Sequence, residues 1–396
     1  MNITDLNSIP SSDIDYYDDE LILNPYPFYK KMRDFAPAVW LSLYDVWFVS
    51  RYEDVTAGLQ NPEVFCSGKG ITLNPDVNAG MSGNMVMQDA PSHTSMRKVF
   101  MKPLLPQGLK EVRDQIKASA DAHIDKLVKR KHFDAVDDLA LFLPMNIVTN
   151  LIGIDEEGKE NMLGWAAGVF NAFGHPNNAR TKSGMLDVKA LMNYVQQKVT
   201  RDMLVKDGWG DRLFKAADEG KITQEQATFM MFDYMIPSLD TTINATSNAI
   251  WLFSENPEQW DLLRKNPSLL PNAINEILRM EAPIRSFVRY LAKDFQIGGI
   301  TLKEGSRAFL SYASASLDER KFENPEKFDI TRKNASEHVG FGMGPHSCPG
   351  SNLARLEIRS LLESLLARVE RFECGEPVRV PHNTLRGIKS LPVTVH

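Results

Sequence analysis

Between residues 89 and 280 the apolar positions recur every three to four residues, the period of helices that bury one face. Segments 92–101, 109–128, 146–151, 159–173 and 186–205 carry this period, with glycine and proline between them. A longer pattern from 224 to 253, interrupted by Pro237, is long enough to cross a domain. Shorter helical patterns follow as far as Met280. Elsewhere the period changes. Residues 27–33 predict a short helix, and 38–49 alternate as a pair of strands would, with Trp40, Leu43, Val46 and Phe48 as the apolar set. Extended segments are expected from 287 to 309, while 319–340 has no clear period. These patterns describe a mainly α, helix-rich chain with a minor β lobe.

Composition changes this picture only by exclusion. No stretch of the 396 residues is Gly/Ser-rich or repetitive, so a single domain over 1–396 is the simpler expectation, with 1–20 as a polar, acidic leader. That leader has no apolar core for export or membrane insertion, which points to a cytoplasmic protein without membrane contact. A formal net charge of −6 argues against nucleic acid as a partner, which calls for a basic excess or stripe. Three cysteines without regular spacing offer no disulfide framework and suit a reducing compartment.

One cysteine carries candidate chemistry. Phe341-Gly342-Met343-Gly344-Pro345-His346-Ser347-Cys348-Pro349-Gly350 sets a thiol in a glycine-rich loop, just before the apolar pattern Leu353, Ala354, Leu356, Leu361, Leu362, Leu365, Leu366 and Val369. The glycines free the backbone for positive φ and for close approach to a flat ligand. Pro349 suits the first turn of a helix, so the helix is expected to start at the cysteine, its positive end favouring thiolate over thiol. An isolated cysteine at a helix cap is ordinarily structural; the surrounding glycines make this one a candidate metal ligand. Zinc is the competing metal, since His346 and Cys348 are near neighbours. It needs four ligands, and Cys66 and Cys374 stand alone in unrelated contexts.

The loop resembles the haem-binding signature of the cytochrome P-450 family, Phe-Gly-x-Gly-x-His-x-Cys-x-Gly, with every fixed position filled. The resemblance implies the cytochrome P-450 fold, haem b (iron protoporphyrin IX) as cofactor, and Cys348 as the axial thiolate, a ligation that favours O–O cleavage. It implies that His346 reaches a haem propionate and that Phe341 packs on the ring and shields the sulfur. With no hydrophobic N-terminal helix, the chain is similar to the soluble bacterial type. Glu276-Ile277-Leu278-Arg279 resembles the family's Glu-x-x-Arg, and with Arg332 it would make a buried ion triad that serves folding and haem retention. His93 and Arg97 resemble a His-x-x-x-Arg pair that binds propionates, and Arg289 stands where a further propionate-binding arginine is expected. Asp240-Thr241 resembles the family's acid-threonine pair, in which the threonine orients oxygen and the acid relays protons from solvent.

The chain departs from the family just before that pair, with Pro237-Ser238 where Ala/Gly-Gly is usual. A proline inside a helix loses a hydrogen bond and clashes with the carbonyl four residues back, here that of Asp233. A kinked but continuous helix is expected, since the apolar period continues on both sides. The alternative, a new helix beginning at Pro237, would leave Asp240 as a first-turn acid.

Three segments, Phe170-Asn171-Ala172-Phe173-Gly174, Ser286-Phe287-Val288-Arg289 and Asn383-Thr384-Leu385-Arg386-Gly387, are similar to a bacterial subgroup acting on para-substituted benzoates. The likeness covers most of the chain after about Asn24. By that analogy Met85, Phe170, Phe173, Ile284 and Phe287, with Asp233 and Pro237, line a flat slot for an aromatic ring. The subgroup's carboxylate-binding residues do not carry over: 78–87 has no arginine, and Phe232-Asp233 stands where Arg-Ser is expected. Asp233 would repel a carboxylate, so a neutral or phenolic aromatic is expected, with its hydroxyl donating to Asp233.

Lys98, Lys102, Lys110, Arg113, Arg355 and Arg359 are expected to form a basic patch of the kind that docks an acidic ferredoxin in this family. No Gly-x-Gly-x-x-Gly fingerprint for flavin or nicotinamide occurs, so electrons are expected from a ferredoxin and ferredoxin reductase. The implied function is a monooxygenase that spends two electrons and one dioxygen to hydroxylate or O-demethylate a small aromatic substrate. The alternatives are a peroxide-driven haem-thiolate enzyme, a hydroxylase of a terpenoid-like substrate, and a non-catalytic haem sensor or carrier.

Overall fold

The long apolar pattern folds as one 32-residue helix, Gln224–Glu255, in the computed structural model of the protein, which describes residues 9–396. Thr223 starts this helix through a reciprocal cap. Its hydroxyl accepts from the Gln226 amide at 3.0 Å, and the Gln226 side-chain carbonyl accepts from the Thr223 amide at 2.9 Å. The helix continues through Pro237, as the apolar period on both sides implied. A proline there costs about 3 kcal/mol, and fully burying one large apolar side chain recovers about 1.5–3 kcal/mol. Met230, Met231, Tyr234, Met235, Leu239 and Ile243 are all buried around it, so packing outweighs the lost bond.

Helices Phe142–Ile152, Glu156–Ala172 and Trp209–Asp218 pack on this central helix, and Ser351–Leu366 lies between it and Pro106–Arg130. One expected boundary moves. The pattern 186–205 folds instead as Ala179–Gln197, because Asn178 accepts from the Arg180 and Thr181 amides and starts the helix about two turns earlier. Leu186 and Val205, which extended the apolar pattern, are exposed. Among the described residues, Ala135–Ile152 is long and apolar enough to cross a membrane, and more than half of that stretch is buried inside the protein, as a core helix is.

The expected strand pair forms: Ala38–Leu41 runs antiparallel to Val46–Val49, with Trp40 opposite Trp47. The expected alternation does not. Val46, Trp47, Phe48 and Val49 are all buried, because the sheet is covered on both faces, and Leu43 lies in the turn, exposed. Six strands lie side by side in the order Ser11–Ser12, Ala38–Leu41, Val46–Val49, Arg307–Leu310, Phe287–Leu291, Phe65–Cys66. Of the expected polar leader, residues 1–8 lie outside the described residues. The rest is part of the fold: Ser11–Ser12 pairs with Trp40 and Leu41, and Tyr16 is fully buried against Phe28, Phe48 and Phe309.

The aperiodic stretch 319–340 is loop apart from one short turn, and it is organised by charge. Glu276, fully buried, accepts from Arg279 at 2.7 and 2.8 Å and from Arg332 at 3.0 and 3.1 Å. Arg332 also donates to the carbonyls of Glu323, Asn324 and Lys327, so one guanidinium sets the path of the loop. Glu276→Ala would leave two buried cations without a counter-ion, and a loss of about 3–5 kcal/mol is expected in urea unfolding. Glu363→Ala, which breaks the exposed Arg359–Glu363 pair, should cost less than about 1 kcal/mol in the same assay.

Candidate active site

The cysteine loop is shaped by its own backbone. Gly342 and Gly344 adopt φ of 66° and 72°, and a Cβ at Gly344 would come within 2.4 Å of the Leu59 carbonyl oxygen, so glycine is required there. The Cys348 amide closes the loop on the Phe341 carbonyl at 2.7 Å. The helix expected to begin at Cys348 begins at Ser351 instead, with Pro349 and Gly350 in the preceding turn. The Gly350 and Ser351 amides, which a helix start leaves without partners, point to the Cys348 sulfur. They do not make it a thiolate unaided. Burial holds the Cys348 thiol above its usual range, with these amides and the Arg97 and Arg355 guanidiniums opposing. A metal that displaces the proton would supply the missing positive charge.

Cys348 forms part of the wall of a cavity that also receives His93, Arg97, Arg289, Phe341 and His346. Met85, Phe170, Phe173, Asp233, Pro237, Thr241, Ile284 and Phe287 line the same cavity, so residues from distant parts of the chain converge there as expected. Asp240 does not line it and lies behind Thr241 on the central helix. Tyr312 and Glu357 line it without having been singled out.

The polar groups near the sulfur have an unbalanced charge. Arg289 is almost fully buried, and its guanidinium donates to the Val288 carbonyl at 2.8 Å and to the Tyr312 hydroxyl. Arg97 donates to the Ser347 carbonyl at 2.6 Å. The His93 and His346 rings lie 4.1 Å apart, and burial, followed by the charges of Arg289, His93 and Arg97, pushes His346 down to about 3. No carboxylate among the described residues forms an ion pair with either arginine, although buried guanidiniums ordinarily require one. A planar apolar ligand that carries its own carboxylates fits this setting, and haem is such a ligand. Zinc does not fit: no cluster of three His, Cys, Asp or Glu side chains is found among the described residues.

The three segments similar to the benzoate subgroup meet at the far side of the cavity. Asn383 donates through its amide to Asn171 Oδ1 at 3.0 Å and through its side chain to the Asn171 carbonyl at 2.7 Å. Thr384 Oγ1 donates to the Phe170 carbonyl at 2.7 Å, and Leu385 bridges to Ile284. The Arg285 and Arg386 amides complete the seam on the Thr384 and Pro283 carbonyls at 2.9 and 2.8 Å. This seam holds Phe170, Phe173, Ile284 and Phe287 together, with the Phe170 and Phe173 rings edge to face at 5.7 Å.

Thr241 Oγ1 donates to the Pro237 carbonyl at 2.6 Å. Asp240 is pushed up to about 7 by burial, opposed by the charge of Lys389, and its Oδ2 has no hydrogen-bond partner. The expected basic patch is thinner than its sequence. Arg355 turns inward over the Phe341 ring at 4.4 Å, and Arg359 pairs with Glu363, leaving Lys98, Lys102, Lys110 and Arg113 exposed on the neighbouring helices. Glu357 could have been found: it shares a helix face with Leu353 and Leu361, a charged residue in an apolar stripe. Tyr312 carried no such signal.

A cytochrome P450 family model matches residues 195–391. The chain is 36% identical over 390 residues to cytochrome p450 CYP199A2 of Rhodopseudomonas palustris, covering 97% of this chain and 94% of that protein. Among solved structures it resembles P450BioI in complex with a hexadec-9Z-enoic acid ligated acyl carrier protein, with a TM-score of 0.85, 28% identity, and coverage of 96% and 99% of the two chains. It also resembles cytochrome P450 CREJ in complex with (4-ethylphenyl) dihydrogen phosphate, with a TM-score of 0.84, 26% identity, and coverage of 95% and 98%.

Glu357 provides a test of the cavity's electrostatics. It is buried, its Oε1 has no partner, and burial raises it to about 8. The unfolded chain releases this proton near the ordinary glutamate value of about 4.3, so the folded state binds more protons between there and about 8. Wild-type stability should therefore fall as pH rises through that window, by up to about 1.4 kcal/mol per pH unit, and this component should level off above it. In urea unfolding at pH 5, 6.5 and 8, Glu357→Gln should lack that component.

Proposed function

Because the chain belongs to the cytochrome P450 family, whose members are haem-dependent monooxygenases, we propose that it hydroxylates or O-demethylates a small aromatic substrate. In this reading it works in the cytoplasm, with electrons from a ferredoxin and ferredoxin reductase. The observation that carries the reading is the convergence on one cavity of a half-buried thiol, an aromatic slot and two guanidiniums without a carboxylate partner among the described residues.

Cys348 would ligate the iron, Arg97, Arg289, His93 and His346 would hold the carboxylate edge, and Phe341 would cover the sulfur. Haem held this way supplies activation of dioxygen, one oxygen atom entering a C–H bond and the other leaving as water with two electrons and two protons. The chain provides the rest. Phe170, Phe173, Phe287, Met85 and Ile284 hold the ring of the substrate and exclude water. The Thr241 oxygen, while donating to Pro237, keeps lone pairs with which to accept a hydrogen bond from the cavity. Asp240, with a value near neutrality, can take a proton from the solvent side and pass it on. The slot supports an aromatic substrate more strongly than the fold does, since similar folds hold an acyl chain in one neighbour and a substituted phenyl group in another. Lys98, Lys102, Lys110 and Arg113 would steer an acidic electron donor toward the cysteine face.

The reduced protein should give a strongly red-shifted Soret band in its carbon monoxide difference spectrum, and Cys348→Ala should lose it; a wild-type band at the histidine-ligated position would remove the assignment. If Asp240 relays protons, turnover should decline as pH rises through about 7. Asp240→Asn should slow turnover about a hundredfold or more and lose that limb of the profile.

A further inference from the structure

The seam at the far side of the cavity is centred on a side chain that the oxygen chemistry does not use. His382 precedes Asn383, and its ring sits inside the turn that it starts. Nδ1 accepts from the Thr384 amide at 3.2 Å and from the Leu385 amide at 3.1 Å, so that nitrogen carries no proton. The proton is on Nε2, which donates to the Ala167 carbonyl at 3.1 Å. Thr384 and Leu385 are buried, where an amide without an acceptor is costly. Burial pushes His382 down to about 4, opposed by the Ala167 carbonyl and assisted by the charges of Arg180 and Arg285. Both guanidiniums flank the turn through Asn383, Arg180 on its side-chain oxygen at 3.0 Å and Arg285 on its carbonyl at 3.4 Å. The imidazole is therefore neutral and fixed in one tautomer at neutral pH.

This turn holds the end of helix Glu156–Ala172. Ala167, Phe170 and Asn171 are three and four residues apart and share a face of that helix. The turn meets all three: His382 on the Ala167 carbonyl, Thr384 on the Phe170 carbonyl and Asn383 on the Asn171 carbonyl. The last carbonyls of a helix lack partners within it, so the turn supplies them. Phe170 begins a row of rings along the cavity, 5.7 Å from Phe173, which lies 6.2 Å from Phe287, which lies 5.9 Å from Tyr312. On its other side the turn bridges through Leu385 to Ile284. One turn thus sets the separation of Phe170 and Ile284, two walls of the slot.

We infer that His382 is a positioning residue that sets the width of the aromatic slot, holding turn and helix together so that a single aromatic ring is admitted and a fused pair is rejected. The inference rests on the monooxygenase reading and adds the ring size of the substrate. His382 does not line the cavity, so its effect passes through Phe170 and Ile284.

The test uses the holoenzyme and two probes that bind through the iron, 4-phenylimidazole and 4-(2-naphthyl)imidazole. Affinity is read from the shift of the Soret band, and the carbon monoxide spectrum is recorded on every variant. Wild type should bind the phenyl probe at least about tenfold tighter than the naphthyl probe, the cost of overfilling a packed site. His382→Ala should bring that ratio below about threefold by tightening the naphthyl probe. General destabilisation would lower the binding-competent fraction and weaken both probes equally, leaving the ratio unchanged. His382→Asn, whose side-chain oxygen can accept from the same two amides, should restore most of the discrimination. Should His382→Ala fail to fold, Thr384→Val, which removes only the hydroxyl bond to the Phe170 carbonyl, should lower the same ratio. With a normal carbon monoxide spectrum, three results would overturn the positioning role alone: a wild type without preference for the phenyl probe, a ratio that these substitutions leave unchanged, or one that His382→Asn leaves as low as alanine does. A wild-type protein without the thiolate-haem spectrum would overturn the monooxygenase reading and this inference with it.

Discussion

Arg97 and Arg289 are held at an apolar cavity without a carboxylate to pair with among the described residues, and the organisation of the site follows from that constraint. A buried guanidinium is costly unless an anion accompanies it. Where the fold needs such a charge for itself it provides the anion, as Glu276 does for Arg279 and Arg332. Around Cys348 it does not, so the anion must come with the ligand. The same holds for the sulfur, which receives two backbone amides and two neighbouring cations yet keeps its proton because burial prevails. Arginines and thiol are thus both completed by a single flat, metal-bearing dicarboxylate.

Burial raises three acids around the cavity, and location decides what each can do with the result. Glu357 lies on the cysteine helix in an apolar stripe at the cavity wall, where a neutral carboxyl is the tolerated form. Asp240 lies outside the cavity lining, deeply buried, with Lys389 as its charged neighbour. Asp233 is a lining residue of the cavity whose Oδ2 is sealed within the protein without a hydrogen-bond partner. The chemistry of a carboxyl group is the same in all three, and the surrounding dielectric and hydrogen-bond partners separate them.

Pro237 shows how such a cavity survives an unfavourable residue. The central helix loses one hydrogen bond there and stays continuous, because buried side chains on both sides fix it against its neighbouring helices. At the opposite wall, the seam between residues 383–386 and the end of helix Glu156–Ala172 ties the C-terminal segment to the aromatic slot. The aromatic slot is thus bounded by the central helix and by this hydrogen-bonded seam.

Much of this was legible in the sequence, for a physical reason. The cysteine loop, the Glu276–Arg279 pair and the His93–Arg97 pair are local: their members lie within a few residues of each other, so spacing alone places them on one turn or face. The apolar period likewise located the helices, because burial on one face imposes it. What the sequence did not carry depends on contacts between distant parts of the chain. Asn178 starts a helix well before its apolar pattern begins, and Leu43 is exposed in a turn while all of Val46–Val49 is covered, since only the assembled sheet decides which faces are sealed. The Gly350 and Ser351 amides serve the sulfur and delay the helix, and Tyr312 reaches Arg289 from another strand-end. Asn383 meets Asn171 across 212 residues of chain, a relation without any local period, which only tertiary packing could create.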